Sequence, residues 1–103
     1  MKLYHGTDAE GAEEINNDGH IKAGHNYYGG ISGVALTPRF DVAVDFALAQ
    51  GGDGVVFEVE VDESDLVVDP ESENTDSVED VLSSGGSVYA CVDTVAPITR
   101  HEV

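Results

Sequence analysis

The stretch VVFEVEV, Val55 to Val61, decides how this chain reads. Val55, Phe57, Val59 and Val61 fall on one side of an extended strand, with Val56, Glu58 and Glu60 on the other. This period-two alternation predicts a strand with one buried face. Before it, Gln50-Gly51-Gly52-Asp53-Gly54 has the composition of a turn that ends whatever precedes it. What precedes it is helical: Phe40, Ala43, Val44 and Ala47 recur at helix spacing over residues 40–50, while Asp41 and Asp45 face away. Pro38 sets the first turn of that helix, and Val34 to Thr37 (VALT) predict a short strand in front of it.

Further out, residues 2–5 predict a strand, and Asp8 offers N-cap chemistry to a helix that stops at Gly19. Ala9, Ala12 and Ile15 or Asn16 give that first helix a weak apolar stripe. Residues 20–33, HIKAGHNYYGGISG, carry no hydrophobic period and predict a surface loop. After the central strand, residues 58–80 hold eleven acidic side chains and no basic one. They predict a solvated connection and a short helix at 76–83, without the alternating acids, central glycine and terminal glutamate of a calcium loop. Residues 87–92 (SVYACV) predict another strand, and Ile98 to Val103 a last edge strand. The pattern is that of one α+β domain spanning residues 1–103, with two or three short helices.

Composition narrows the chemistry. Twenty-one Asp and Glu stand against four Lys and Arg, a formal net charge of −17. Four cations cannot form a basic face, which excludes nucleic-acid binding by that route. Such a chain repels itself in dilute buffer, and the repulsion is largely screened in molar salt, where the Debye length is about 3 Å. Few lysines and many Asp, Glu, Gly, Val and Ala resemble proteins of salt-accumulating halophiles, so a cytoplasmic, high-salt setting is expected. An acidic decoy of nucleic acid is the competing reading of the charge. No run reaches the 18 or more apolar residues of a membrane span, and the N-terminus lacks the pattern of a signal peptide. A lone cysteine, Cys91, among Tyr89, Ala90 and Val92, forms no internal disulfide and predicts a buried thiol.

The familiar catalytic signatures are missing. His5, His20, His25 and His101 lack the paired spacing of a zinc site. There is no G-x-S-x-G elbow, P-loop or G-x-G-x-x-G fingerprint.

What stands out instead is an order of segments: LYHGT at residues 3–7, a helix, a glycine-rich loop, GVALTPRFDVAVDFA at 33–47, and the strand GVVFEVEVD at 54–62. This succession resembles the ADP-ribosyltransferase-like fold, the family of poly(ADP-ribose) polymerases, histidine-type mono-ADP-ribosylating toxins and RNA 2′-phosphotransferases. The resemblance covers residues 3 to 62 and extends loosely over the last third. It implies a split β-sheet, and NAD or a related nucleotide as the bound small molecule. His5 would then hydrogen-bond the nicotinamide-side ribose, with Gly6 and Thr7 completing the motif. Two positions depart from the family pattern. Ala35 stands where an aromatic residue stacks on nicotinamide, and SVYACVD carries no Glu or Gln where the family acid stands, Asp93 and Glu102 being the nearest acids. Tyr27 or Tyr28 would supply stacking from the loop, and Arg39 would meet the pyrophosphate.

Each of these residues also has a structural alternative. The His5 ring could tie the strand end to a backbone carbonyl, the tyrosines could pack the loop on the core, and Arg39 could pair with Asp41 or Asp45. Two functions follow: an NAD-dependent ADP-ribosyltransferase, or a catalytically inactive module of the same fold that binds a small ligand or a protein partner.

Overall fold

A computed structural model describes residues 1–22, 24–26, 31–49, 51–68, 77–85, 88–90 and 94–103. Nine strands, three α-helices and one 3-10 helix (Glu63–Asp65) are present among them: β1 Lys2–Asp8, α1 Ala9–Asp18, β2 Ile21–Lys22, β3 Gly24–Asn26, β4 Ile31–Leu36, α2 Phe40–Leu48, β5 Gly54–Glu60, β6 Leu66–Val68, α3 Val78–Ser83, β7 Val88–Ala90, β8 Thr94–Val95 and β9 Pro97–Glu102. The architecture is α+β, as the sequence predicts.

The central strand is β5, flanked by β1 and β9 in an antiparallel three-stranded sheet. Its register on β1 runs from Lys2 opposite Glu60 to Asp8 opposite Gly54. Phe57 and Val59 are buried, as the alternation predicts, and join Leu3, Ile15, Leu36 and Val88 in the main core. Val56 departs from the expected exposed face. It is fully buried, because α2 crosses that side of the sheet and covers it with Ala43 and Ala47.

The approach of α2 is close, and glycine permits it. A Cβ on Gly6 would sit 2.0 Å from the Ala43 carbonyl oxygen, and one on Gly54 would sit 2.6 Å from that of Ala47. Only hydrogen atoms fit between this helix and these strands. At the edge of the same face, Phe40 stacks edge-on between Tyr4 (5.5 Å) and His101 (5.4 Å).

A second sheet runs β3-β4-β7-β6, and β2 pairs separately with β8. Residues 20–33 therefore differ from the predicted loop: within them lie β2, β3 and the start of β4. β2 forms because a distant segment pairs with it, Ile21 with Val95, while β3 and the start of β4 pair with each other, Gly24 with Gly33 and Asn26 with Ile31, with no periodicity of their own. β6 is likewise a strand inside the acidic stretch, anchored by buried Leu66. No helix among the described residues is long and apolar enough to cross a membrane.

Candidate functional site

Among the described residues, the two larger sheets share backbone hydrogen bonds at one bridge. Tyr4 and Thr37 exchange backbone hydrogen bonds of 2.8 and 3.0 Å, the only bridge between β1 and the end of β4 among the described residues. One residue further along β1, backbone pairing ceases and a side chain takes over: His5 Nδ1 lies 2.8 Å from the Ala35 carbonyl oxygen. A carbonyl only accepts, so Nδ1 carries the proton and donates. In the neutral ring this leaves Nε2 as an acceptor. Burial pushes the His5 imidazole below the usual histidine range, and the bond to Ala35 opposes that shift without cancelling it. The neutral tautomer is thus the one this position favours.

Beside the ring is a groove of about 170 Å³, lined by His5, Thr7, Gly11, Glu14, Ile15, Asp18, His20 and Ile21. Its parts follow from local structure. His5 and Thr7 share one face of β1, two residues apart. Gly11, Glu14, Ile15 and Asp18 stand at positions i, i+3, i+4 and i+7 of α1, so they form one wall. Asp8 caps that helix, accepting from the Gly11 amide at 2.8 Å, and Gly19 ends it in the left-handed region at φ 77°. Gly11 keeps the wall close to the strand, since a Cβ there would meet Thr7 Oγ1 at 2.1 Å.

Of the residues singled out from the sequence, His5 and Thr7 meet in this groove. Gly6 does not line it; its Cα faces α2. Arg39 does not line it either. Its guanidinium holds Asp41 through two hydrogen bonds, 3.0 Å from Nε and 2.6 Å from a terminal nitrogen. Those hydrogen bonds, with the guanidinium charge, keep the Asp41 carboxyl below the usual carboxylate range. Tyr27, Tyr28, Cys91 and Asp93 lie outside the described residues. Glu102 does not line the groove: it is bonded to Arg100 at 3.2 Å and borders a second concavity, of about 390 Å³, with Ala9, Asp53 and Val103.

Six groove residues were not among the site residues expected from the sequence: Gly11, Glu14, Ile15, Asp18, His20 and Ile21. The signal for four of them was present in their helical spacing. Their row lies beside the apolar stripe of Ala12 and Ile15 and shares Ile15 with it.

The groove offers acceptors and little positive charge. Glu14, Thr7 and the Nε2 of the neutral His5 ring can each accept a hydrogen bond from a hydroxyl group. No Lys or Arg appears among the described lining residues, and no group of three or more His, Cys, Asp or Glu with metal-binding geometry occurs among the described residues. The described lining thus combines hydrogen-bond acceptors with the apolar Ile15 and Ile21. No family model, curated protein or solved structure matches the chain.

Proposed function

We propose that this chain is an ADP-ribosyltransferase-like module that binds NAD or a related nucleotide, with the ribose in the groove between β1 and α1. One observation carries the reading. The His5 ring is fixed through Nδ1 to Ala35 beside a groove between β1 and α1, so its other nitrogen is an acceptor of set orientation. The two roles foreseen for His5, tie and grip, are compatible because each uses a different ring nitrogen.

In this reading the fold is the split sheet of that family, and the segment order LYHGT, helix, GVALTPRFDVAVDFA, GVVFEVEVD supports it. At about 170 Å³ the groove falls below the roughly 300–1,000 Å³ of sites that enclose a whole small ligand. It seats one ring-sized part of a dinucleotide, and the rest extends across the surface.

Transfer of ADP-ribose breaks the bond between ribose C1′ and the nicotinamide nitrogen, and the electron pair leaves with nicotinamide. Positive charge builds on the sugar, where a well-placed carboxylate is worth about 3–4 kcal/mol. Glu14 and Asp18 are the carboxylates that share the groove with His5. The second reading, a binding module without turnover, is favoured by Ala35 at the position where the family carries its aromatic residue.

Release of nicotinamide from NAD, followed by chromatography in about 1 M KCl where charge repulsion is screened, separates the two. Product in wild type and none in His5→Ala supports the enzyme. Binding without product supports the inactive module. If neither binding nor product is found, both readings fail. The high-salt setting belongs to the same proposal, and it predicts that raising KCl from about 0.1 to 1 M increases the melting temperature. Greatest stability in dilute buffer would contradict it.

A further inference from the structure

We infer that β9 is the seam of a two-fold dimer, its open edge pairing antiparallel with β9 of a second copy of this chain. The inference stands apart from the nucleotide reading.

Among the described residues β9 is the outer strand of its sheet, bonded to β5 on one side. It is six residues long, against three in β3 and three in β6, the outer strands of the other larger sheet. Ile98, Thr99, Arg100 and Glu102 are exposed, which leaves the strand open to solvent. An unpaired edge of this length is a template for a further strand.

The ladder fixes which backbone groups are free. Gly54 and Val103 exchange hydrogen bonds of 3.5 and 3.0 Å, and bonded pairs alternate along an antiparallel ladder. Thr99 opposite Glu58 and His101 opposite Val56 are therefore turned toward β5. Arg100 and Glu102 direct their N–H and C=O groups outward.

A two-fold axis brings the same patch of both copies together, so outward residues must meet outward residues. Arg100 against Arg100, or Glu102 against Glu102, opposes like charges. Arg100 against Glu102 of the second copy gives backbone bonds and an unlike-charge pair on each side of the axis, with His101 on the axis itself. In that register residues 99–103 pair. Pro97, which has no N–H, and the register shift beside Ile98 fall outside the paired stretch. Sliding Ile98 opposite Arg100 would bring both into it. The present Arg100–Glu102 pair, 3.2 Å apart within one strand, is exposed and exchanges at little cost. Because Arg100 and Glu102 also line the concavity of about 390 Å³, pairing places a second Arg100 at its rim.

The formal net charge of −17 opposes association in dilute buffer, and salt screens that repulsion more than it screens pairs in contact. The test is sedimentation equilibrium of the full chain in about 0.5 M KCl, at concentrations up to about 1 mM. The seam is small and of the transient class, so a Kd on the order of 0.1 mM is expected. Arg100→Glu and Glu102→Arg each set like charges across the seam, and each is expected to weaken the dimer about tenfold or more. An equimolar mixture of the two variants is expected to restore it, because one brings two acids and the other two guanidinium groups. Recovery in the mixture also shows that neither variant is misfolded.

Cross-linking reads the register. Facing residues of a non-bonded antiparallel pair have Cα atoms about 4.5 Å apart, within disulfide reach. His101→Cys is expected to form an intermolecular disulfide on mild oxidation. Thr99→Cys and the wild type, whose one cysteine is Cys91, are expected not to. A chain that stays monomeric at about 1 mM, a dimer indifferent to both charge swaps, or a mixture that stays monomeric would overturn the seam. A disulfide through Thr99→Cys, or through neither variant, would overturn the register.

Discussion

β1 presents two unlike surfaces on alternate residues. Toward α2, Gly6 lies so close to the Ala43 carbonyl that no side chain fits, and Ala43, Ala47 and Val56 are fully buried around it. Toward α1, His5 and Thr7 border an open groove whose other wall carries Glu14 and Asp18 beside Ile15. Close packing on the first side leaves no freedom to adjust, and that rigidity holds the second side open. The lesson is that three consecutive residues, His5, Gly6 and Thr7, do two different jobs. A resemblance that treats them as one ligand-binding motif merges a packing residue with two groove residues.

The largest effect should come from breaking the packed side. Gly6→Ala drives a methyl into helix backbone, which has no rotamer to yield, and is expected to cost about 3 kcal/mol in urea unfolding. A cost below about 0.5 kcal/mol would mean that α2 does not sit where described.

His5→Ala tests the other side of the strand. Losing the bond to Ala35 should cost about 1–2 kcal/mol and remove any NAD-induced rise in melting temperature. The same residue predicts a pH dependence. Burial lowers its pKa in the folded state, so protons bind the unfolded chain more readily. The stability due to neutral His5 is complete above the unfolded value of about 6.5 and declines as pH falls from there through the lower folded value. Many carboxylates titrate further down, so the contribution is read as wild type minus His5→Ala. A difference that stays flat between pH 7 and 5 would contradict the burial of the ring.

Asp8→Ala sharpens the comparison by loosening the wall of the groove without touching its floor. Loss of the cap on Gly11 should cost about 1 kcal/mol and weaken nucleotide binding modestly. Smallest of all should be Arg39→Ala, since its pair with Asp41 is exposed to solvent. No measurable change in melting temperature and unaltered NAD affinity are expected. A large loss of affinity would return Arg39 to the phosphate-contact role foreseen from the sequence.

How far the sequence discloses this arrangement depends on the length scale of the signal. β5 is legible because its alternation is local, and so are both caps of α1, Asp8 and Gly19. The burial of Val56 is partly legible: Val55, Val56 and Phe57 are three apolar residues in a row, the mark of a strand covered on both sides. β2 and β3 are not legible, because Gly24, His25 and Asn26 have little strand preference and are held by pairing with β4. The groove is intermediate. His5 and Thr7 stand out in the sequence, and the wall of α1 can be found by helical spacing once a neighbouring strand is known. The parting of β1 from β4 after Tyr4 depends on a pairing of residues far apart in the chain, which no local pattern encodes.

The most direct test of the central claim is nitrogen-15 NMR of the labelled His5 imidazole, with and without NAD. The account predicts a protonated Nδ1 in both states and an unprotonated Nε2 whose resonance moves when NAD binds. An Nε2 resonance that stays still while NAD binds elsewhere, or a proton found on Nε2 in place of Nδ1, would contradict it.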